Sequence, residues 1–366
     1  MSIFIIAEAG VNHNGSLARA RKMVEVAAKA GADAIKFQTF SAENVVVKGA
    51  AKAAYQKKTT PGDETQFAMI KKLELDARAH FKLAAYCRRK RIIFLSTPFD
   101  LPGVELLKRL KVPFFKVSSG DVTNFPLIFN MAKTRLPLIL STGMSTPQEV
   151  KEALGVIALA YMNPSCLKPD RTLWRKAFAS REGKRFLKRK VTLLQCTTEY
   201  PAPFSDVNLR AMDTLHREFG LPVGLSDHTV GFHVAIAAAA RGATIIEKHL
   251  TLAKELPGPD HKASLEPFEF RQMVQSIREV EDALGSSQKK VAASEKKNKV
   301  VARRSLVAAR AIHAGETFTT DNMVAKRPGN GTSPAFYWQL LGRTARWDLA
   351  RDEALSISCV ISRKEQ

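Results

Sequence analysis

The chain has 366 residues, is 45% hydrophobic and carries 57 Lys and Arg against 35 Asp and Glu, a formal charge of +22. Such a length accommodates a barrel of about 250 residues plus one small domain, and the hydrophobic fraction excludes a disordered or fibrous chain. Four widely spaced cysteines without a CxxC pair read as reduced thiols of a cytoplasmic protein.

The opening MSIFIIAEAGVNHNG has a short apolar run, an acidic Glu8 and no cationic flank. It is expected to be a first barrel strand, not a signal peptide or membrane span. Strand-like runs then recur at 3–10, 32–38, 91–98, 114–119, 136–143, 191–197, 221–227 and 243–249, with helical stretches such as 16–30 and 101–110 between them. Both faces of these runs are apolar, as buried parallel strands require. Eight β-then-α units predict a (β/α)8 TIM barrel over residues 1–284. A doubly wound sheet fits less well, because no GxGxxG turn accompanies the strands.

Two segments interrupt the repeat. Residues 41–75, with Tyr55-Gln56-Lys57-Lys58 and Pro61-Gly62-Asp63, form a long excursion after the second strand. Long loops on a barrel's catalytic face usually cover substrate. Residues 157–190 hold ten cations against Asp170 and Glu182. Few aromatics and no nucleic-acid signature accompany them, so this stretch is expected as a solvated basic insertion on the structural face, with neither a nucleic acid nor a membrane as partner. A helix from 266 to 284, a polar linker at 285–299 and a compact β- and turn-rich domain at 300–366 complete the chain. Alternating runs at 305–308 and 354–360 suggest strands there.

The strand ends carry the chemistry. Lys36 and Gln38 share one face of the second strand, Lys116 and Ser118 one face of the fourth, and Glu247 and His249 one face of the eighth. Glu8, Thr97, Ser119, Asp121, Ser141, Tyr200, Ser226 and His228 stand at or just beyond the other ends. Cys196 ends the sixth run and could face the site, although it reads first as a packed small residue. Catalysis in such barrels sits at the carboxyl ends of the strands. Lysines with hydroxyls there suit a phosphate, and two imidazoles suit a divalent metal, manganese, iron, cobalt or zinc before magnesium. A Schiff-base lysine is the competing chemistry, though it wants apolar surroundings where these lysines have hydroxyls. A polyanion-binding protein with a vestigial barrel is a third reading of the charge.

The segments IAEAGVNHNGS, IKFQTF, LSTPFD, FKVSSGDVTNFPLI, LILSTGM, CTTEYPAP, GLSDHT, EKHLTL and PGPDHKASLEP resemble the bacterial sialic acid synthase family, in order. SLVAARAIHAGETFTTDNM and KRPGNG are similar to the antifreeze-like (SAF) domain that follows the barrel in that family. The resemblance implies condensation of phosphoenolpyruvate with an N-acetylated mannosamine-type sugar, releasing phosphate. It also implies the site. Lys36, Thr97, Lys116, Ser119, Ser141, Tyr200 and Ser226 would contact phosphoenolpyruvate. His228 and His249 would hold the divalent ion, manganese first, with magnesium or cobalt as alternatives. Glu8, Gln38, Asp121, Glu247 and Asp260 would surround the metal, the attacking water and the sugar, with Glu247 or Asp260 orienting the water. Arg327 would reach a partner subunit's site and hold the N-acetyl group, which makes a domain-swapped homodimer. Asp121 stands where the family often has Glu, Thr198 where some members have Asn, and Gln195 where His is frequent. The stretch YQKKTT…ETQFAMIKKLELD together with CTTEYPAPF looks more like the legionaminic acid branch than the one using N-acetylmannosamine, and the GD motif with the intact phosphate residues points away from the pseudaminic branch.

Overall fold

The structure, a computed structural model, describes residues 2–60 and 62–361. It divides into two compact units, Met1–Gly285 and Ser286–Gln366. Pro61 of the excursion and the last five residues of the second expected domain lie outside the described residues.

The first unit is the expected barrel. Its strands are β1 (Phe4–Gly10), β2 (Ala34–Thr39), β3 (Ile93–Pro98), β4 (Phe115–Val117), β5 (Leu138–Ser141), β6 (Val191–Cys196), β7 (Val223–Asp227) and β8 (Ile245–His249). All their ladders are parallel, in the order β3-β2-β1-β8-β7-β6-β5-β4. β3 and β4, at the two ends of this order, pack side by side and close the barrel. Each strand falls inside its predicted run, trimmed by a residue or two, except that β2 runs one residue further, to Thr39.

The helices form where apolar residues repeat at helical spacing and a cap stops them. Leu17–Ala30 starts at Ser16, whose hydroxyl accepts from the Arg19 amide, and ends at Gly31 with φ +85°. Its Met23, Val24 and Ala27 are fully buried against the sheet. Pro267–Leu284 is the expected last barrel helix.

Inside the barrel, register separates stability from chemistry. Ile6, Ala34, Leu95, Ile139, Leu194 and Ile245 form an apolar plug, with Phe4 and Phe114 packed on it. Side chains alternate along a strand, so the residue two further on points inward again. Two steps beyond the plug come Glu8, Lys36, Thr97, Lys116, Ser141, Cys196, Ser226 and Glu247, all buried. Another two steps give Gly10, Gln38, Phe99, Ser118, Gly143, Thr198, His228 and His249.

Two segments are more ordered than their sequence suggests. The basic stretch is a helical insertion. It folds as helices Arg171–Ala179 and Arg181–Lys190, the first packed along helix Pro147–Met162. Glu152, only 6% exposed, accepts from the Trp174 indole at 2.5 Å and from Arg175. Trp174 also meets Phe125 edge to face at 5.3 Å. The insertion therefore adds a layer to the helical ring, with Arg175 turned onto Glu152 and most of its other cations exposed. The segment 285–299 is not wholly linker, because helix Glu295–Ala302 begins within it.

The second unit has its own core of Leu306, Ile312, Phe318, Met323, Leu340, Leu349 and Leu355. β9 (Ser305–Ala308) and β10 (Met323–Lys326) pair antiparallel. The 354–360 run makes single bridges from Ala354 to Val307 and from Val360 to Ala345 around a short 3-10 turn, Ile357–Cys359, instead of a strand. An alternating pattern this short finds one partner residue on each side, not a ladder. Among the described residues, no helix is long and apolar enough to cross a membrane.

Candidate active site

A cavity of about 360 Å³ opens at the carboxyl ends of the strands. Lining it are Glu8, Lys36, Gln38, Thr97, Lys116, Ser119, Ser141, Tyr200, Ser226, His228, Glu247 and His249 from the expected set. Lys36 Nζ lies 2.6 Å from Glu8 Oε2, 3.0 Å from Thr97 Oγ1 and 3.6 Å from Glu247 Oε2. Lys116 Nζ lies 3.2 Å from Glu247 Oε1, which also accepts from Ser226 Oγ at 2.9 Å. One carboxylate thus bridges two ammonium groups at the centre of the polar belt.

Their proton affinities follow from burial and these pairings. Burial pushes Glu8 up to about 7, against the pull of Lys36. Burial acts on Glu247 in the same sense, but Lys116 and Lys36 outweigh it and hold Glu247 at about 2. Burial would lower Lys36, yet Glu247 and Glu8 keep it raised. Lys116 is lowered, burial being the largest cause. Two lysines thus face Glu247, which they hold ionised, and Glu8, whose ionisation burial opposes.

The imidazoles stand above this belt, ring centroids 5.4 Å apart. His228 Nδ1 is 2.7 Å from the Thr197 carbonyl, so that nitrogen carries the proton and Nε2 keeps its lone pair. Tyr200 packs against His228 with ring centroids 4.2 Å apart and the rings tilted by 31°. Burial holds His249 well below the usual imidazole range, leaving it a neutral donor. Among the described residues, the buried polar atoms without a hydrogen-bond partner include His249 Nδ1, Ser141 Oγ and Thr198 Oγ1. Buried polar groups are normally paired, and these open on the same cavity lined by Ser141, Thr198 and His249. The two imidazoles therefore fit a divalent cation. Among the described residues no set of three His, Cys, Asp or Glu side chains closes on one point, so water or substrate would complete the shell.

Gly10 is required where it stands. Its φ is +50°, and a Cβ would lie 3.3 Å from both Glu8 Oε1 and His249 Cε1. Any side chain there would intrude between the belt and the imidazoles.

Three expected residues lie elsewhere. Asp121 lines neither this cavity nor its neighbour. Its oxygens accept from Ser118 Oγ at 2.7 Å and from Asn124 Nδ2 at 3.0 Å, closing a turn at the end of the fourth strand. Asp260 lines an adjoining cavity, where burial raises it to about 6. Of the two carboxylates considered for the water, only Glu247 lines the reaction cavity. Arg327 belongs to the second unit, is exposed, and donates from Nε to the Ala302 carbonyl at 3.0 Å. Conversely, Cys196 lines the cavity, 3.8 Å from His228 Nδ1, as do Ser118, Thr198 and Met144, and Tyr55 and Gln66 from the excursion.

A closed parallel barrel with a polar belt and paired imidazoles at its carboxyl-terminal mouth has the layout of a barrel enzyme's active site. Residues 23–289 match the NeuB family and residues 303–361 the SAF domain. The chain belongs to the NeuB family. It is 47% identical over 351 residues to an N,N'-diacetyllegionaminic acid synthase of Campylobacter jejuni, spanning 96% of this chain and 98% of that relative. A second N,N'-diacetyllegionaminic acid synthase, from Legionella pneumophila, is 41% identical over 97% of this chain and 94% of its own. The crystal structure of N-acetylneuraminic acid synthetase from Leptospira borgpetersenii in complex with citrate gives a TM-score of 0.64 at 30% identity, over 81% of this chain and 90% of that one.

Proposed function

We propose that this chain condenses phosphoenolpyruvate with an N-acetylated mannosamine-type aldehyde sugar, releasing inorganic phosphate. The acceptor is 2,4-diacetamido-2,4,6-trideoxymannose and the product N,N'-diacetyllegionaminate, a reading supported by the identity to the two legionaminic acid synthases. The observation that carries it is the single cavity in which Lys36, Lys116 and the hydroxyls of Thr97, Ser141 and Ser226 lie beneath His228 and His249.

In this reading Lys36 and Lys116 neutralise the phosphate and carboxylate of phosphoenolpyruvate, and the hydroxyls of Ser141 and Ser226 donate to its oxygens. Ser119, Tyr200 and Thr97 bound the same pocket and fix its orientation. His228 and His249 would hold a divalent ion, manganese for preference, which would supply Lewis-acid polarisation of the sugar aldehyde. The enol carbon C3 bonds to the aldehyde carbon, and the carbonyl electron pair moves to its oxygen, which takes a proton. Glu8, raised to about 7, is suited to give one at neutral pH. Water then adds to the oxocarbenium carbon C2 and loses its proton. Glu247, ionised and inside the cavity, orients that water. The tetrahedral centre expels phosphate by C–O cleavage, leaving the ketone. The reading includes a cytoplasmic, domain-swapped homodimer in which Arg327 of one subunit reaches the sugar in the other.

Arg327→Ala is then expected to raise KM for the sugar about tenfold while leaving KM for phosphoenolpyruvate unchanged. Steady-state kinetics with each substrate varied in turn checks this, and an unaltered sugar KM would remove Arg327 from the site.

One observation favours a second reading. Lys116 is lowered by burial, as a Schiff-base aldolase would need. Its ammonium is nevertheless tied to Glu247 at 3.2 Å, which opposes loss of the proton. Borohydride reduction in the presence of pyruvate is expected to leave the intact mass of the protein unchanged. A reduced adduct on Lys36 or Lys116 would replace the synthase mechanism with the aldolase one.

A further inference from the structure

Two sequence blocks have no part in the reaction as drawn: Asn12-His13-Asn14, after β1, and Asp260-His261-Lys262-Ala263-Ser264, after β8. The fold bonds them to each other. Asn12, 1% exposed, donates from Nδ2 to the Leu250 carbonyl and to Ser264 Oγ, both at 2.8 Å. Ser264 Oγ in turn donates to the Asp260 carbonyl at 2.7 Å. Asn14 donates from Nδ2 to the Pro257 carbonyl at 2.8 Å, which fixes its Oδ1 as an acceptor. Burial lowers His261 to about 4, so the ring is neutral near pH 7. Its Nε2 lies 3.2 Å from Asn14 Oδ1 and therefore carries the proton, while Nδ1 accepts from Thr251 Oγ1 at 2.7 Å. His261 is fully buried, and a Cβ on Gly258 would come within 2.8 Å of its ring. The loop 250–265 is thus wound on one imidazole and pinned to the turn after β1.

The ends of this loop are set by the barrel itself, the Leu250 amide donating to the Glu8 carbonyl at 2.8 Å and the Leu265 amide to the His249 carbonyl at 2.9 Å. Asp260 stands between them. Its carboxyl group is buried, and none of the described residues donates a hydrogen bond to it. It lines the cavity of about 270 Å³ beside the reaction cavity, and Gln38, Tyr55, Gln66, Phe99 and Tyr200 line both. A six-carbon acceptor with its carbonyl at the imidazoles extends past these residues toward Asp260. A buried carboxyl without a donor is costly until a ligand supplies one. We propose that Asn12, Asn14 and His261 are positioning residues for the acceptor sugar, a staple that acts through Asp260 by fixing its carboxyl where a donor on the far part of the sugar meets it. This rests on the synthase reading and adds to it the groups that place Asp260, none of which lines either cavity.

Asn14 has φ +48°, so Asn14→Gly removes its side chain without straining the backbone. In phosphate-release assays with 2,4-diacetamido-2,4,6-trideoxymannose, this variant should raise KM for the sugar about tenfold and leave KM for phosphoenolpyruvate unchanged. Asp260→Ala should raise the sugar KM at least as much. Because the staple works through that carboxyl, adding Asn14→Gly to Asp260→Ala should change the sugar KM no further. Amide hydrogen exchange needs no turnover, and in Asn14→Gly it should quicken across 251–264 while the barrel strands keep their protection. An unaltered sugar KM in Asn14→Gly, effects that multiply in the double variant, or faster exchange throughout the barrel would overturn the staple and leave the synthase reading intact. No phosphate release by the wild-type protein, with this sugar or with N-acetylmannosamine, would sink the synthase reading and the acceptor role of the staple with it.

Discussion

Replacing His228 or His249 with alanine should lower phosphate release by about a thousandfold or more, corresponding to about 4 kcal/mol of lost transition-state stabilisation. The geometry gives the reason. Thr197 fixes the proton of His228 on Nδ1 at 2.7 Å, so Nε2 is the donor. Burial keeps His249 neutral, with Nδ1 free of any partner among the described residues. Either substitution leaves a single imidazole, too few to retain an ion against water. Isothermal titration with manganese should show saturable binding to the wild-type protein and none to either variant. Phosphoenolpyruvate, held by the lysines, should still bind both variants. Wild-type rates in enzyme stripped with a chelator, or full manganese affinity in His249→Ala, would refute the metal assignment.

Lys248→Met should destabilise the barrel unit by about 3–5 kcal/mol, because removing one member of a buried pair leaves the other charge uncompensated. Lys248 is 0% exposed, and its ammonium lies 2.9 Å from Asp227 Oδ2 and 2.5 Å from the Thr229 carbonyl. Asp227 Oδ1 meanwhile accepts from both the amide and the hydroxyl of Thr229. Alternation along β8 turns Lys248 away from the cavity that Glu247 and His249 face. The pair therefore ties the end of β8 to the turn carrying His228, from behind the site. Urea denaturation followed by circular dichroism measures the cost. Lys248→Met combined with Asp227→Leu should be less destabilised than Lys248→Met alone, since no charge is then stranded. A loss below about 1 kcal/mol in the single variant would show that water already compensates the pair.

Much of this site could be read from residue spacing. Lys36 with Gln38, Lys116 with Ser118 and Glu247 with His249 each sit two apart, and a strand puts such pairs on one face. The apolar plug beneath follows from the same rule, since Ala34, Phe114 and Ile245 lie two residues earlier. What escaped was built by contacts distant in sequence. The excursion's helices of four to six residues have too little periodicity to be recognised, and Tyr55 and Gln66 gain their places only when they fold over the barrel mouth. The docking of the basic helices depends on Glu152 meeting Trp174 and Arg175 across a turn of chain, which composition does not reveal. Asp121 has a local partner on each side: an aspartate three residues before Asn124, with Ser118 three before it, closes a turn. Cys196 could be expected to face the site as well as to pack, and its position two residues beyond Leu194 of the plug turns it toward the cavity.

The reaction itself is open to one direct measurement. Phosphoenolpyruvate labelled with 18O at the oxygen bridging C2 and phosphorus would be supplied with the N-acetylated acceptor and manganese. The account predicts phosphate released in step with sugar acid and carrying the label, because water enters at C2 and the C–O bond breaks. Unlabelled phosphate, or phosphate released at the same rate without the sugar, would contradict it.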